Sequence, residues 1–219
     1  MCRSLNLSRN RIGIDVLVPL LHELRFCDSL EILDLSWNAI NHRCVKALCE
    51  VLIPRDRTEK DIQEEKSVEE QNMTMPLWTY NRTLSSLSLA GNRVGYLGVI
   101  SLNRVLSTHP CLKELNLFHS SLDASGGKEI SKSLRHNTVL EKLNLRFNNI
   151  TQDGADAIAN SLSENVTLKE LNLADNHFGR LGVLKLYHGL KKSRGFLDIA
   201  RTLGYNPEEP TKIRVRMRK

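Results

Sequence analysis

The 219-residue chain has no run of about 18 uninterrupted apolar residues, so nothing in it reads as a membrane span. Its opening, MCRSLNLSRNRIG, lacks the apolar core of a secretory signal, and the expected compartment is the cytoplasm. No CxxC pair occurs among the five cysteines, Cys2, Cys27, Cys44, Cys49 and Cys111. Their number is odd and no His/Cys cluster has ligand spacing, so they read as reduced thiols acting as small hydrophobes, with no metal site. There is no phosphate-binding glycine-rich loop, no HExxH and no nucleophile elbow. His22-Glu23 has no second histidine four residues on, and the pairs Glu64-Glu65 and Glu69-Glu70 lie where nothing would preorganise them. No catalytic residue and no cofactor are assigned, and the chain is not expected to be an enzyme.

Most of the chain also lacks a charge excess. From Lys191 to Lys219 there are nine Lys+Arg against three Asp+Glu, which accounts for the whole net charge of +6, and residues 1–190 carry 22 of each sign. The basic character belongs to the tail, which argues against a nucleic-acid-binding body.

What the chain does have is a repeat. The pattern L-x-x-L-x-L-x-x-N-x-hydrophobic, usually followed by Gly and a helical stretch, recurs as SLNLSRNRI, LEILDLSWNAI, LSSLSLAGNRV, LKELNLFHSSL, LEKLNLRFNNI and LKELNLADNHF. Leu87, Leu115, Leu143 and Leu171 are 28 residues apart, as are Leu5 and Leu33. The Asn column runs Asn10, Asn38, Asn92, Ser120, Asn148, Asn176. In L-x-L, alternate side chains point to one face of a short strand, so the leucines go inward. One repeat cannot cover its own apolar side, so neighbours must stack. The column Asn turns the chain out of the strand, and its amide can bond main-chain groups that no strand ladder satisfies. Six residues on stands Gly98, Gly126, Gly154 or Gly182, where close backbone approach or positive φ is expected; Val16 and Cys44 hold that place in the first two repeats. Helices follow, with apolar residues at 3–4 spacing such as Ala155, Ile158, Ala159 and Leu162.

The columns and the period resemble the ribonuclease-inhibitor-like class of leucine-rich repeats, over about residues 3–52 and 84–192. The resemblance implies an α/β solenoid of about six repeats, curved, with a parallel sheet on the concave side and helices on the convex side. It also implies a surface for binding other proteins. Cytosolic repeat proteins interrupted by charged inserts further resemble structural components of motile-cilium axonemes, which implies a cytoskeletal or ciliary scaffold. The alternatives that similar repeats imply are an activator of a small GTPase and a fragment of an innate-immune-type sensor.

The expected organisation is repeats 1–2 over residues 1–52, a charged flexible insert over 53–82, repeats 3–6 over 83–192, a C-terminal cap over 193–207 and a basic tail over 208–219. Asn38 and Asn92 are 54 residues apart, which places the insert between the second and third repeats. It holds an apolar cluster, Met73, Met75, Leu77, Trp78 and Tyr80, expected to seal the solenoid or dock a partner. The chain begins inside a repeat with no polar cap, so the exposed N-terminal end is a candidate partner surface. In the tail, Lys212, Arg214, Arg216, Arg218 and Lys219 flank Ile213, Val215 and Met217, which suits an acidic protein surface.

The main interface is expected on the concave sheet. Its outward positions include Glu114, Asn116, Phe118 and His119 in the fourth repeat and Lys142, Asn144, Arg146 and Phe147 in the fifth. Trp37 holds the same column as His119 and Phe147. Aromatic residues and arginine dominate interface hot spots, so Trp37, Phe118, His119, Arg146 and Phe147 are the candidate partner-binding residues.

Overall fold

The computed structural model describes residues 2–25, 27–53 and 80–192, with the side chains of 190–192 left aside. Strands and helices alternate: β1 Ser4–Asn6, α1 Ile14–Arg25, β2 Ile32–Asp34, α2 His42–Leu52, β3 Ser86–Ser88, α3 Gly95–Thr108, β4 Glu114–Asn116, α4 Ala124–His136, β5 Lys142–Asn144, α5 Gln152–Leu162, β6 Glu170–Asn172 and α6 Gly179–Lys192. The strands form one parallel sheet in sequence order, β1 to β6. Their central leucines lie side by side, Leu5 by Leu33, Leu33 by Leu87, then Leu115, Leu143 and Leu171. Leu33 pairs with Leu87 as closely as Leu115 with Leu143, so the extra residues between the second and third repeats leave the register intact. Each helix packs on the next, and the sheet and helices enclose one apolar core from Ile12 to Leu186. This is the expected α/β leucine-rich-repeat solenoid, with six repeats described.

The helices start and stop for local reasons. Asn41 caps α2 by accepting from the Arg43 and Cys44 N–H groups, and Asp123 caps α4 through the Gly126 N–H. The glycines at the helix starts serve close approach. A Cβ on Gly154 would collide with Ile150, and one on Gly127 would stand 3.0 Å from the Gly154 Cα, so α4 and α5 touch backbone to backbone there. Ala155, Ile158, Ala159 and Leu162 all face the core as expected.

The asparagine column is a hydrogen-bonded ladder. The Nδ2 of Asn148 donates to Leu117 O and Leu145 O at 2.9 Å each and to Arg146 O at 3.3 Å, while its Oδ1 accepts from the Ser120 and Leu122 N–H groups at 3.0 Å. Asn38, Asn92 and Asn176 repeat the donor pattern, each tying its own turn to the preceding repeat. Ser120 reaches Leu89 O and Phe118 O at 3.3 Å each and has no amide oxygen to offer the third repeat.

A second ladder runs where each helix gives way to the next strand, through Asn81, His109, Asn137 and Asn165. Asn165 donates to the Leu134 and Asn137 carbonyls and accepts from the Thr167 and Leu168 N–H groups. Asn137 and Asn81 each donate to one carbonyl, Leu106 O and, at 2.7 Å, Cys27 O, and each accepts from the N–H groups two and three residues on. Asn81 is buried and its N–H bonds Val51 O, while Ile53 packs in the core. Both ends of the segment expected as an insert thus belong to the packed array. The interior of that segment, the cap and the basic tail, with Lys212, Arg214, Arg216, Arg218 and Lys219, lie outside the described residues.

Candidate functional site on the concave rim

The residue immediately before the ladder asparagine is held at positive φ in every repeat. Arg9, Trp37, Gly91, His119, Phe147 and Asp175 all lie between φ 49° and 67°. This left-handed step reverses the chain just beyond the strand, so that the next side chain, the ladder Asn or Ser120, enters the core. The step is fixed by the main chain, because the ladder of backbone bonds continues past the strands. The Arg9 N–H donates to Ser36 O, Trp37 to Ala90 O, Gly91 to Phe118 O, His119 to Arg146 O and Phe147 to Ala174 O, at 2.7 to 3.0 Å.

The five candidate residues come together here. The Trp37 and His119 rings stack with centroids 5.8 Å apart and planes 25° apart. His119 meets Phe147 at 5.0 Å, and Phe118 meets Trp37, His119 and Phe147 at 6.3, 6.2 and 5.9 Å. Arg146 lies 5.9 Å from the Phe118 ring centroid, and its Nε donates to Asp175 Oδ2 at 2.6 Å. Trp37 belongs to the second repeat and His119 to the fourth. They meet because Gly91 intervenes without a side chain, and a Cβ there would lie closer than 3.0 Å to three indole atoms. Trp37 is 45% exposed and Phe147 51% exposed, so the rings keep half of their surface for contact.

The placement differs from the expectation in one respect. β4 and β5 end at Asn116 and Asn144, so Phe118, His119, Arg146 and Phe147 lie on the rim of the sheet, in the turn that follows. Strict strand alternation would put neighbours such as Phe118 and His119 on opposite faces. The left-handed residue breaks the alternation and brings both rings to one side. Sequence reading left out Arg9, which opens the same column, and gave Gly91 an outward place without its role as the floor under Trp37. Both were visible as the residue before the ladder position.

At and just before the strands, charges neutralise one another across adjacent repeats. Lys142 lies 2.8 Å from Glu114 and 3.9 Å from Glu170, Glu141 takes Lys169 at 2.6 Å and Lys113 at 3.6 Å, and Arg3 pairs with Glu31 at 3.7 Å. The hydrogen bond from Lys169 holds the Glu141 carboxyl below its ordinary range, and Glu114 pushes the Lys142 ammonium up. The strand-end residues Asn116, Asn144 and Asn172 spend Oδ1 on the N–H two residues on, closing each strand.

Among the described residues no three His, Cys, Asp or Glu side chains are grouped to hold a metal ion. The Cys49 thiol is pushed up to about 12 by burial, which makes it inert as a nucleophile. No described helix is long and apolar enough to cross a membrane. At the N-terminal end, β1 is the edge strand and Val16 and Val18 of α1 are exposed.

A search of curated protein sequences finds no match. A solved structure of leiomodin-1 actin-binding site 2 superposes with a TM-score of 0.43 at 17% identity, covering 87% of this chain and 79% of that one. A leucine-rich-repeat family model matches residues 26–49, 80–102, 108–131, 136–159 and 164–186, together more than half of the sequence. With those matched segments and the leucines in register from β1 to β6, the chain belongs to the leucine-rich-repeat family.

Proposed function

We propose that this chain is a non-catalytic protein-binding scaffold whose recognition surface is the concave rim formed by Trp37, Phe118, His119, Arg146 and Phe147. The observation that carries the reading is conformational. Three bulky side chains occupy a left-handed position that disfavours any residue with a Cβ by roughly 1–2 kcal/mol. Gly91 occupies the same position in the third repeat and has no Cβ to strain. Nothing in folding calls for large rings there, since they are half exposed and touch chiefly one another. Every repeat takes this left-handed step, so exposed rings stacked on one another at three of its six positions support a surface suited to contact. Tryptophan, phenylalanine and arginine are also the side chains that give most binding energy per ordered group.

The test is site-specific photocrosslinking in a cell extract, with benzophenone side chains placed at Phe147 on the rim and at Ile100 on the convex face. A protein adduct at the rim and none at the convex site is expected. The captured partner should then lose about 1–3 kcal/mol of affinity with Phe147→Ala and with Arg146→Ala. A partner captured at Ile100, whose affinity neither rim variant alters, would overturn the assignment. A GTP-hydrolysis assay with captured GTPases separates the scaffold from a GTPase activator, and the cytoskeletal or axonemal setting is decided by which partner is captured.

A further inference from the structure

The strand-to-helix turns of repeats 1–3 are richer in arginine than those of repeats 4–6. In repeats 4–6 the turns hold Arg146 paired with Asp175 and Asp123 as a helix cap, with Arg180 exposed at the start of α6, while the ion pairs Lys128–Asp153 at 2.8 Å and Lys185–Asp156 lie on the helices that follow. In repeats 1–3 the turns carry Arg9, Arg11 and Arg93, with Arg43 at the start of α2, all exposed. None of these four forms an ion pair among the described residues. Asp34 in this half is bonded to Ser36, α2 has no acid in its first turn to meet Arg43, and Asp15 in the first turn of α1 forms no ion pair among the described residues. The backbone brings the arginines to one edge. Arg9 is one rung from Trp37, since its N–H bonds Ser36 O. Arg93 bridges in parallel to Asn41, and the Asn41 side chain holds the Arg43 N–H at 2.9 Å. The pre-asparagine column therefore reads Arg9, Trp37, Gly91, His119, Phe147, Asp175: an unpaired cation at one end, rings in the middle, a neutralised acid at the other.

Resting on the rim reading above, we infer that the partner is an extended, bipolar peptide segment. Its carboxylates lie over Arg9, Arg11, Arg43 and Arg93, and its apolar or proline side chains lie over Trp37, His119 and Phe147. Adjacent strands are about 4.8 Å apart, so the span from Arg9 to Phe147, four rungs, is roughly 19 Å. An extended chain at about 3.3 Å per residue covers it with about six residues. Charge distribution selects a peptide over a nucleic acid. A strand with a phosphate on every nucleotide would carry its charge across the whole row and find in repeats 4–6 cations already engaged, Arg146 by Asp175 and Lys142 by Glu114 and Glu170. A segment acidic at one end and apolar at the other does not need them. The orientation follows: the acidic end points toward the first repeat.

The test is fluorescence anisotropy on the full chain with a labelled ten-residue peptide carrying four glutamates at one end and Leu, Trp, Pro and Phe at the other. The expected result is saturable binding that weakens at least tenfold when glutamines replace the glutamates, and that weakens with added salt because exposed charges are screened. The double variant Arg9→Glu/Arg93→Glu should weaken it at least tenfold with an unchanged melting temperature, since both side chains are exposed. No saturable binding of the acidic peptide overturns the inference. So do equal binding of the glutamine peptide, indifference to the double charge reversal, and tighter binding of a twelve-nucleotide oligothymidylate. Loss of binding in Phe147→Ala with none in Arg9→Glu/Arg93→Glu would leave the rim standing and remove the acidic partner. Loss in the arginine variant with none in Phe147→Ala would do the reverse.

Discussion

Two neighbouring columns of this solenoid, one residue apart in sequence, make opposite use of the same turn. Asn38, Asn92, Asn148 and Asn176 turn inward and spend their amides on main-chain groups of two repeats. Trp37, Gly91, His119, Phe147 and Asp175, each one residue earlier, stand outward at positive φ and differ from repeat to repeat. Uniformity within the chain marks what the fold needs, because every repeat leaves the same carbonyls to satisfy. Variety at a strained, exposed position marks what the fold tolerates and a partner can use. The contrast can be broken at either column.

The largest effect is expected at Asn148, which is 5% exposed and makes all five bonds of its rung. Asn148→Ala leaves buried carbonyls and N–H groups unpaired on both sides and should lower stability by about 3 kcal/mol, the upper end for one lost polar group. An unchanged denaturant midpoint would show the ladder to be idle. Asn176, which is less buried, should matter less. Gly91→Ala comes next. An L-residue at φ 67° is disfavoured by about 1–2 kcal/mol, and its Cβ must push the Trp37 indole aside. Tryptophan fluorescence should report the displacement, and an unmoved spectrum would mean that Gly91 is not the floor of the ring row.

Ser120 offers the reverse experiment. It is fully buried and its hydroxyl makes two long bonds where an Asn would make the full set. Ser120→Asn should raise stability by roughly 1 kcal/mol, about one net hydrogen bond, and slow amide exchange in the third and fourth repeats. A loss of stability would show that this turn, where Ser121 is also left-handed and Gly95 N–H bonds Ser120 O, has reorganised around the smaller side chain.

The inward column was legible in sequence because it repeats one residue type at a fixed spacing, with Ser120 as its visible exception. The register of all six strands was legible for the same reason. The second ladder has the same 28-residue spacing but was missed, since His109 interrupts it and it lies in connections that carry no leucine signature. The rim residues were found through the alternation of a strand that turns out to be three residues long. Their juxtaposition depends on a left-handed step that hydrophobic periodicity does not encode. Nor did composition disclose which turn charges pair, because pairing depends on which rung faces which.

His109 sharpens the comparison between an amide and an imidazole in one ladder. It is 3% exposed, its Nε2 donates to Asn81 O at 2.9 Å, and its Nδ1 accepts from the Cys111 N–H at 3.3 Å. Only the neutral ring can do both, and burial lowers its pKa from the ordinary 6.5. As the pH falls through 6.5, the unfolded chain takes up a proton that the folded chain resists. The stability contribution is thus complete at higher pH and is lost progressively on acidification. His109→Asn, which copies Asn137 and Asn165, should be less sensitive between pH 8 and pH 5.5, measured by denaturant midpoints. Parallel loss in both proteins would acquit His109.

The smallest effect on stability is expected at Phe147, and it discriminates most between the two columns. Phe147→Gly removes a ring that is half exposed and releases a left-handed strain of roughly 1–2 kcal/mol. Against that stand the added freedom of glycine in the unfolded chain, about 0.5–1 kcal/mol, and the lost ring contacts with His119 and Phe118, about 0.5–1.5 kcal/mol. These terms nearly cancel, so the denaturant midpoint should move by less than the equivalent of about 1 kcal/mol in either direction. Partner affinity should meanwhile fall by about 1–3 kcal/mol, because a central aromatic contact is gone and nothing replaces it. A clear loss of stability with unchanged affinity would make Phe147 a structural residue and move it into the same class as Asn148, one position away.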